Sequence, residues 1–426
     1  MMKVLTRLFS TVLIMALCIS VFPSSSVKAA EKSTTYISVE TFAEYLAKEI
    51  DVEPVNGSYA EGLKGAGIIK AGELSSYDAN ITRGDSMVLL NRADEFLYGN
   101  QLEEKLVQLA IDKRISDIKK VTEDKRADVA KAYLKGFMKG YSNGAYCTDR
   151  NMKVTGKLTK KGAISCIEML KDKSKRAKIS PDGQLIRTTN LPKTAKNYPY
   201  ILESFPNEYY DWKLLYEGAV ITGENGKEIK QTYLVDYASP ADIDKLKTEE
   251  YPDFQEVKKE YLDEWVEKAR NHIEQIFNVN YRTLNDSWIE EIMKNHFSDN
   301  TPYDVLPRRQ LKNYVRRATE NKTIIESGKV AVDGSTLYRY AGNFYMRFYV
   351  KYRITSSNIR ISAADEFSVK ENPYGALVYS FFPIYLDGFT MNQWKEGFFD
   401  IELDEATGSI KDMGVAGTYL LPGERR

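Results

Sequence analysis

Gly140 to Gly144 reads Gly-Tyr-Ser-Asn-Gly, the spacing of a serine-hydrolase nucleophile. That chemistry needs a strand before the serine and a helix after it, so that the hydroxyl sits on a sharp elbow. A helical pattern precedes Ser142 and glycines surround it, which argues for a plain turn. Ser116 to Lys119 matches Ser-x-x-Lys, but neither Ser-Asp-Asn nor Lys-Thr-Gly accompanies it. The chain holds 2 histidines, His272 and His296, and 3 cysteines. Without a third ligand or a His-Glu-x-x-His spacing, the histidines make no zinc site. Three cysteines exclude zinc-finger arrays, iron–sulfur clusters and a disulfide scaffold. The acid pairs Glu249-Glu250 and Glu290-Glu291 fall on helix surfaces, whereas a glycosidase sets two carboxylates across one cleft. No catalytic residue, metal or cofactor is assigned.

The elements that would carry a site are bounded by size and charge. At 426 residues the chain exceeds the roughly 250–300 residues one core supports, so more than one domain is expected. With 43% hydrophobic and 28% charged residues it has material for real cores and is not a disordered chain. Sixty basic and sixty acidic residues cancel. Removing Lys3, Arg7 and Lys28 with the first 29 residues leaves a small acidic excess, a poor footing for nucleic-acid binding. The 29 tyrosines suit an extracellular, β-rich or carbohydrate-facing protein.

Residues 1–29 read as a signal peptide. Basic Lys3 and Arg7 precede an apolar run from Val12 to Phe22, and Val27-Lys28-Ala29 fits a small-x-small cleavage site. The run is about half of the ~20 residues a membrane span requires, so no transmembrane span is expected. Leu17 precedes Cys18, where a lipidation site takes Gly, Ala or Ser. Cys147 and Cys166 remain after cleavage, either paired in an oxidising exterior or as buried thiols.

Three segments in residues 30–173 then share one grammar: a β-branched or Leu residue, Ser or Thr, and an amphipathic helix. They begin at Ile37, Ile81 and Leu158. Ser38, Thr82 and Thr159 are natural N-caps, and apolar residues follow at helical spacing, as at Met87, Leu90 and Ala93. Upstream of the second and third copies lie "YAEGLKGAGIIKAG" and "VAKAYLKGFMKGYSNG", short helices ending in glycine.

The order of helix, "GIIK", loop, "ITRGD" and helix resembles the S-layer homology (SLH) domain. Tyr59 to Phe96 carries the resemblance best. It implies an all-α, three-pronged helical bundle that binds secondary cell-wall polysaccharide, often pyruvylated, in grooves between prongs. It further implies a secreted protein on the wall of a Gram-positive-type bacterium, with other surface proteins as possible neighbours. By resemblance Arg83 meets an anionic sugar, and a guanidinium fork suits a carboxylate. Thr82 orients the loop, Gly67 and Gly140 let backbone approach the ligand, and Asp117 is the acid that opens a unit. The basic slot holds Val39 in the first copy and Lys160 in the third. The family's tryptophan is missing, since Trp212, Trp265, Trp288 and Trp394 all lie beyond the repeats.

Prolines and polar residues predict an extended connector over 174–211. Residues 212–426 predict an α+β domain, helices first and an antiparallel sheet after them. One helix carries a stripe at Val257, Tyr261, Trp265, Ala269, Ile273 and Ile276; a second is capped at Asn285 or Asp286; a third covers the arginine pairs 308–309 and 316–317. Alternation at Phe344, Met346, Phe348 and Val350 marks a strand, and "ALVYSFFPIYLDG" reads as another. By element order this half is loosely similar to the cone-shaped NTF2-like or cystatin-like architecture. The function this predicts is non-covalent wall attachment, with a C-terminal domain for binding or display. The alternative is a wall-attached glycan or peptidoglycan hydrolase with its active site within 212–426.

Overall fold

Ser38, Thr82 and Thr159 cap the helices Val39–Glu49, Arg83–Tyr98 and Lys160–Glu168. Each hydroxyl accepts the amide three residues on, at 3.2, 3.0 and 3.1 Å, which satisfies an otherwise orphaned donor. The structure, a computed structural model, describes residues 35–211, 220–222, 228–230, 254–340, 343–358 and 391–420. Over these it is a mixed α+β fold with an antiparallel sheet, and no described helix is long and apolar enough to cross a membrane. The leader at 1–29 and the strand expected at 376–388 lie outside the described residues.

Helices Tyr59–Gly65, Glu104–Lys113 and Glu123–Leu134 lie between the capped ones, followed by a ladder of β1 (Tyr141–Ser142) and β2 (Arg150–Asn151). One apolar cluster, from Ile37 to Leu170, gathers the inward stripe of every helix. Helices Arg83–Tyr98 and Glu123–Leu134 also share a polar seam. Arg92, 8% exposed, reaches Glu73 at 2.7 Å and Asp128 at 2.8 Å, and Lys135 reaches Asp94 at 2.9 Å. Paired charges at this depth fix which helix faces meet, because any other alignment strands them.

The strands β3 (Val220–Thr222) and β4 (Glu228–Lys230) form a separate ladder. In the C-terminal half the helix Phe254–Ile276 buries Trp265, Ala269, Ile273 and Ile276 completely, four of the six predicted stripe positions, and Tyr261 partly. Asn285 caps the helix Asp286–Met293, accepting the amides of Ser287 and Trp288, and the helix Val305–Glu320 follows. The main sheet joins β5 (Val279–Asn280), β6 (Ile324–Val332), β7 (Tyr338–Tyr340), β8 (Asn343–Ser356), β9 (Lys395–Asp404) and β10 (Gly414–Leu420). Its order is β10-β9-β8-β6-β5, with β7 on β8, and every pairing is antiparallel. Phe344, Met346, Phe348 and Val350 face the helices, as the alternation requires.

Residues 174–211 depart from the extended connector the prolines predict. Ile201, Leu202, Phe205, Tyr209 and Tyr210 form a third cluster with Ala331 and Tyr349 of the sheet. A short helix, Asn207–Asp211, presents both tyrosines with no exposed surface. The cause is the outward face of β8, which offers Arg347 and Tyr349 as partners. Tyr209 Oη donates to the Arg347 carbonyl at 2.7 Å, and Tyr210 Oη donates to Asp333 Oδ2 at 2.6 Å. Burying an aromatic side chain stabilises by about 1.5–3 kcal/mol, more than a polar linker gains in water. The segment covers the sheet.

Candidate functional site

Three buried amides close a ring at the centre of the repeats. Ile37 N donates to Leu158 O at 3.2 Å, Leu158 N to Ile81 O at 3.0 Å, and Ile81 N to Ile37 O at 3.0 Å. One residue on, each chain reaches its cap; one further, the first helical amide is taken by a different repeat. Val39 N donates to Ala79 O at 2.9 Å, Arg83 N to Gly156 O at 2.7 Å, and Lys160 N to Thr35 O at 3.0 Å. The first repeat is thus held by the second, the second by the third, and the third by the first. Residues 39, 83 and 160 occupy equivalent places in a pseudo-threefold hub.

Their surroundings differ. Val39 is 3% exposed and belongs to the core, so the first slot offers no cation. Arg83 is half-buried, its Nε donating to Met152 O at 2.8 Å. Its guanidinium carbon lies 5.5 Å from the centre of the Tyr141 ring, and Lys153 Nζ lies 3.9 Å from the same centre. Tyr141 itself is 47% exposed. Asp85, the nearest acid in sequence, is taken elsewhere: it accepts from Thr82 Oγ1 at 2.7 Å and pairs with Lys125 at 2.8 Å. Two cations therefore gather at one half-exposed aromatic ring, and their summed positive charge favours an incoming anion. Lys160 lines an open groove of about 740 Å³ together with Thr35, Thr159, Lys161, Ile164, Ser165 and Glu168. Its ammonium is 5.9 Å from the Tyr45 ring.

No protein-family model, no characterised protein and no solved structure matches the chain. The assignment of each residue therefore rests on geometry.

Thr82 caps the helix whose first residue is Arg83, its hydroxyl accepting the Asp85 amide. Gly140 adopts φ +64° with the Asn151 carbonyl 3.1 Å from an added Cβ, so a side chain at the turn leading to Tyr141 would be strained. Gly67, at φ +77°, faces open space just after the helix Tyr59–Gly65. Asp117 is the clear correction. It is 5% exposed, and its two oxygens accept the amides of Met152 and Val154, each at 2.9 Å. An acid that opens a unit is here turned inward, because residues 152–154 have no strand partner for those donors. It shapes the strip on which Arg83 rests and does not face solvent.

The remaining motifs fall away. Ser142 sits on exposed β1, its Oγ accepting from Gly144 N at 3.0 Å, while both histidines are buried in the C-terminal core. Cys147 and Cys166 are free thiols, and burial pushes Cys166 up to about 11, which keeps it a thiol. No group of side chains suited to a metal ion occurs among the described residues. Arg308 is closed off by Glu290, Asp299 and Asp304, so it offers nothing to an anionic polymer. Sequence reasoning missed Tyr141 and Lys153. The signal for Tyr141 was its place after Gly140 in the Gly-Tyr-Ser-Asn-Gly turn; Lys153, in the left-handed region at φ +51°, had none.

Proposed function

We propose that this chain is an exported surface protein of a Gram-positive-type bacterium. SLH-like repeats in residues 30–173 form an all-α, three-pronged bundle and hold it non-covalently to secondary cell-wall polysaccharide. The C-terminal half serves binding or display at that surface. Support comes from the hub, whose cyclic hand-over between three capped helix starts is what three prongs around one axis need. The observation that carries the ligand class is the Arg83–Tyr141–Lys153 cluster. A pyruvylated sugar matches it in two ways. Its carboxylate accepts two parallel hydrogen bonds from a guanidinium fork, and its negative charge is countered by the Lys153 ammonium beside the same ring. Lys160 beside Tyr45 repeats the theme with a single point charge.

Co-sedimentation tests the reading. The purified protein should pellet with native Gram-positive walls and stay in solution with walls stripped of their polysaccharide. Equal pelleting on both, or on neither, rejects attachment through that polymer.

A further inference from the structure

The hairpin of β1 and β2 has two ends with different partners. At its base Tyr141 lies beside Arg83 and Lys153. At its tip the Tyr146 ring lies flat on Tyr349 of β8, with centroids 3.6 Å apart and planes 6° from parallel. Phe205 and Phe398 close the box at 5.6 and 6.2 Å. Two further bonds clamp the tip: Tyr146 N donates to Ser204 O at 2.7 Å, and Lys329 Nζ of β6 donates to Ala145 O at 2.6 Å. Tyr146 is held at φ +58°, a conformation an L side chain adopts reluctantly, so outside contacts must keep it there. Between tip and base the loop is braced. Asn143 Nδ2 donates to Asp149 Oδ2 at 2.8 Å and to Ser116 Oγ at 3.1 Å, and Tyr141 pairs with Asn151 across the ladder. A displacement at Tyr146 is carried by a short, braced stretch of chain to the Tyr141–Asn151 pair, next to Met152, whose carbonyl holds Arg83.

We propose that the C-terminal sheet presets the Arg83 site. Tyr349, which touches no glycan, is a positioning residue: through Tyr146 it fixes Tyr141, and the affinity of the site for an anionic glycan depends on the stack. This rests on the reading of Arg83 as a glycan contact. Linkage makes the effect reciprocal, so polymer bound at the repeats stabilises the C-terminal half. All four tryptophans lie beyond the repeats, so their fluorescence follows that half alone.

The test uses the full chain as wild type, Tyr349→Phe and Tyr349→Ala, with purified pyruvylated wall polysaccharide as probe. Tyr349→Phe keeps the ring and loses only the hydroxyl bond to Glu396. It should bind within about twofold of wild type, while Tyr349→Ala should bind roughly tenfold more weakly. Polymer should raise the tryptophan-detected melting midpoint of wild type and shift that of Tyr349→Ala less. Amide exchange without polymer should accelerate at Tyr141 and from Met152 to Gly156 in Tyr349→Ala alone. Wild-type affinity in Tyr349→Ala, or equal weakening in Tyr349→Phe, overturns the proposal. If the wild type binds no polymer, the wall reading fails by itself and exchange alone decides: unchanged protection at Tyr141 and 152–156 then sinks the coupling. Should Tyr349→Ala not fold, Lys329→Ala replaces it, since it removes only the bond to Ala145.

Discussion

Arg347 and Asp400 form an ion pair inside the protein, Nε to Oδ1 at 3.2 Å, with side chains 1% and 0% exposed. The pair is fully partnered. Arg347 Nη1 donates to the Tyr209 carbonyl at 3.0 Å, and Tyr338 Oη donates to Asp400 Oδ2 at 2.9 Å. Such a pair tolerates burial only while both charges are present. Asp400→Ala should therefore cost about 3–5 kcal/mol, because it strands a buried guanidinium. Urea unfolding followed by tryptophan fluorescence measures it, and a loss below about 1 kcal/mol contradicts the buried pair.

That pair also marks where the sequence stops being readable. The inward residues of β8 follow from period-two alternation, and the helix Phe254–Ile276 from its stripe, since both patterns are local. Arg347 and Tyr349 occupy the outward face of the same strand, where alternation alone predicts solvent. What buries them is the segment 198–211, distant in the chain, rich in Pro and Tyr, and without any period of its own. In the candidate site Thr82 and Arg83 were legible because a cap fixes the residue after it. Asp117 was not, because residue type gives no direction to a side chain. The contact of Lys153 with Tyr141 depends on how the 140–154 turn closes, which no local pattern specifies.

Acid should weaken the C-terminal half. Burial pushes His272 and His296 down to about 3 from an ordinary 6.5. The unfolded chain then binds protons that the native state refuses, so stability falls as pH drops below 6.5. Burial acts oppositely on Asp333, pushing it up to about 6 from 3.8, so its charged form costs stability above that range and acid relieves the cost. Burial raises Asp263, Asp299 and Asp404 in the same direction, so the carboxyls offset part of the histidine loss between pH 6 and 4. The tryptophan-detected melting midpoint should fall over that interval, and His272→Gln should flatten the fall. The same pH slope in wild type and His272→Gln would show that His272 is not buried neutral.

Asp117→Ala should damage the Arg83 site from beneath. Losing the carboxylate leaves the amides of Met152 and Val154 without acceptors, at about 1–3 kcal/mol each. Circular-dichroism melting of the repeats should show that loss, and glycan affinity should drop with it. Unchanged melting combined with abolished binding would return Asp117 to the role of a ligand contact.

The most direct measurement is titration of the full chain with purified pyruvylated wall polysaccharide, comparing wild type with Arg83→Ala, Lys160→Ala and the double variant. Arg83→Ala removes one bond, Nε to Met152 O, so folding should lose only about 0.5–1.5 kcal/mol. Binding should weaken by about 1.5–3 kcal/mol, the range for hydrogen bonds to a charged group. Lys160→Ala should cost less, because an ammonium lacks the bidentate fork. The account predicts that the folded double variant loses measurable binding; wild-type affinity in that variant would mean that the repeats are scaffold and hold no wall polymer through these residues.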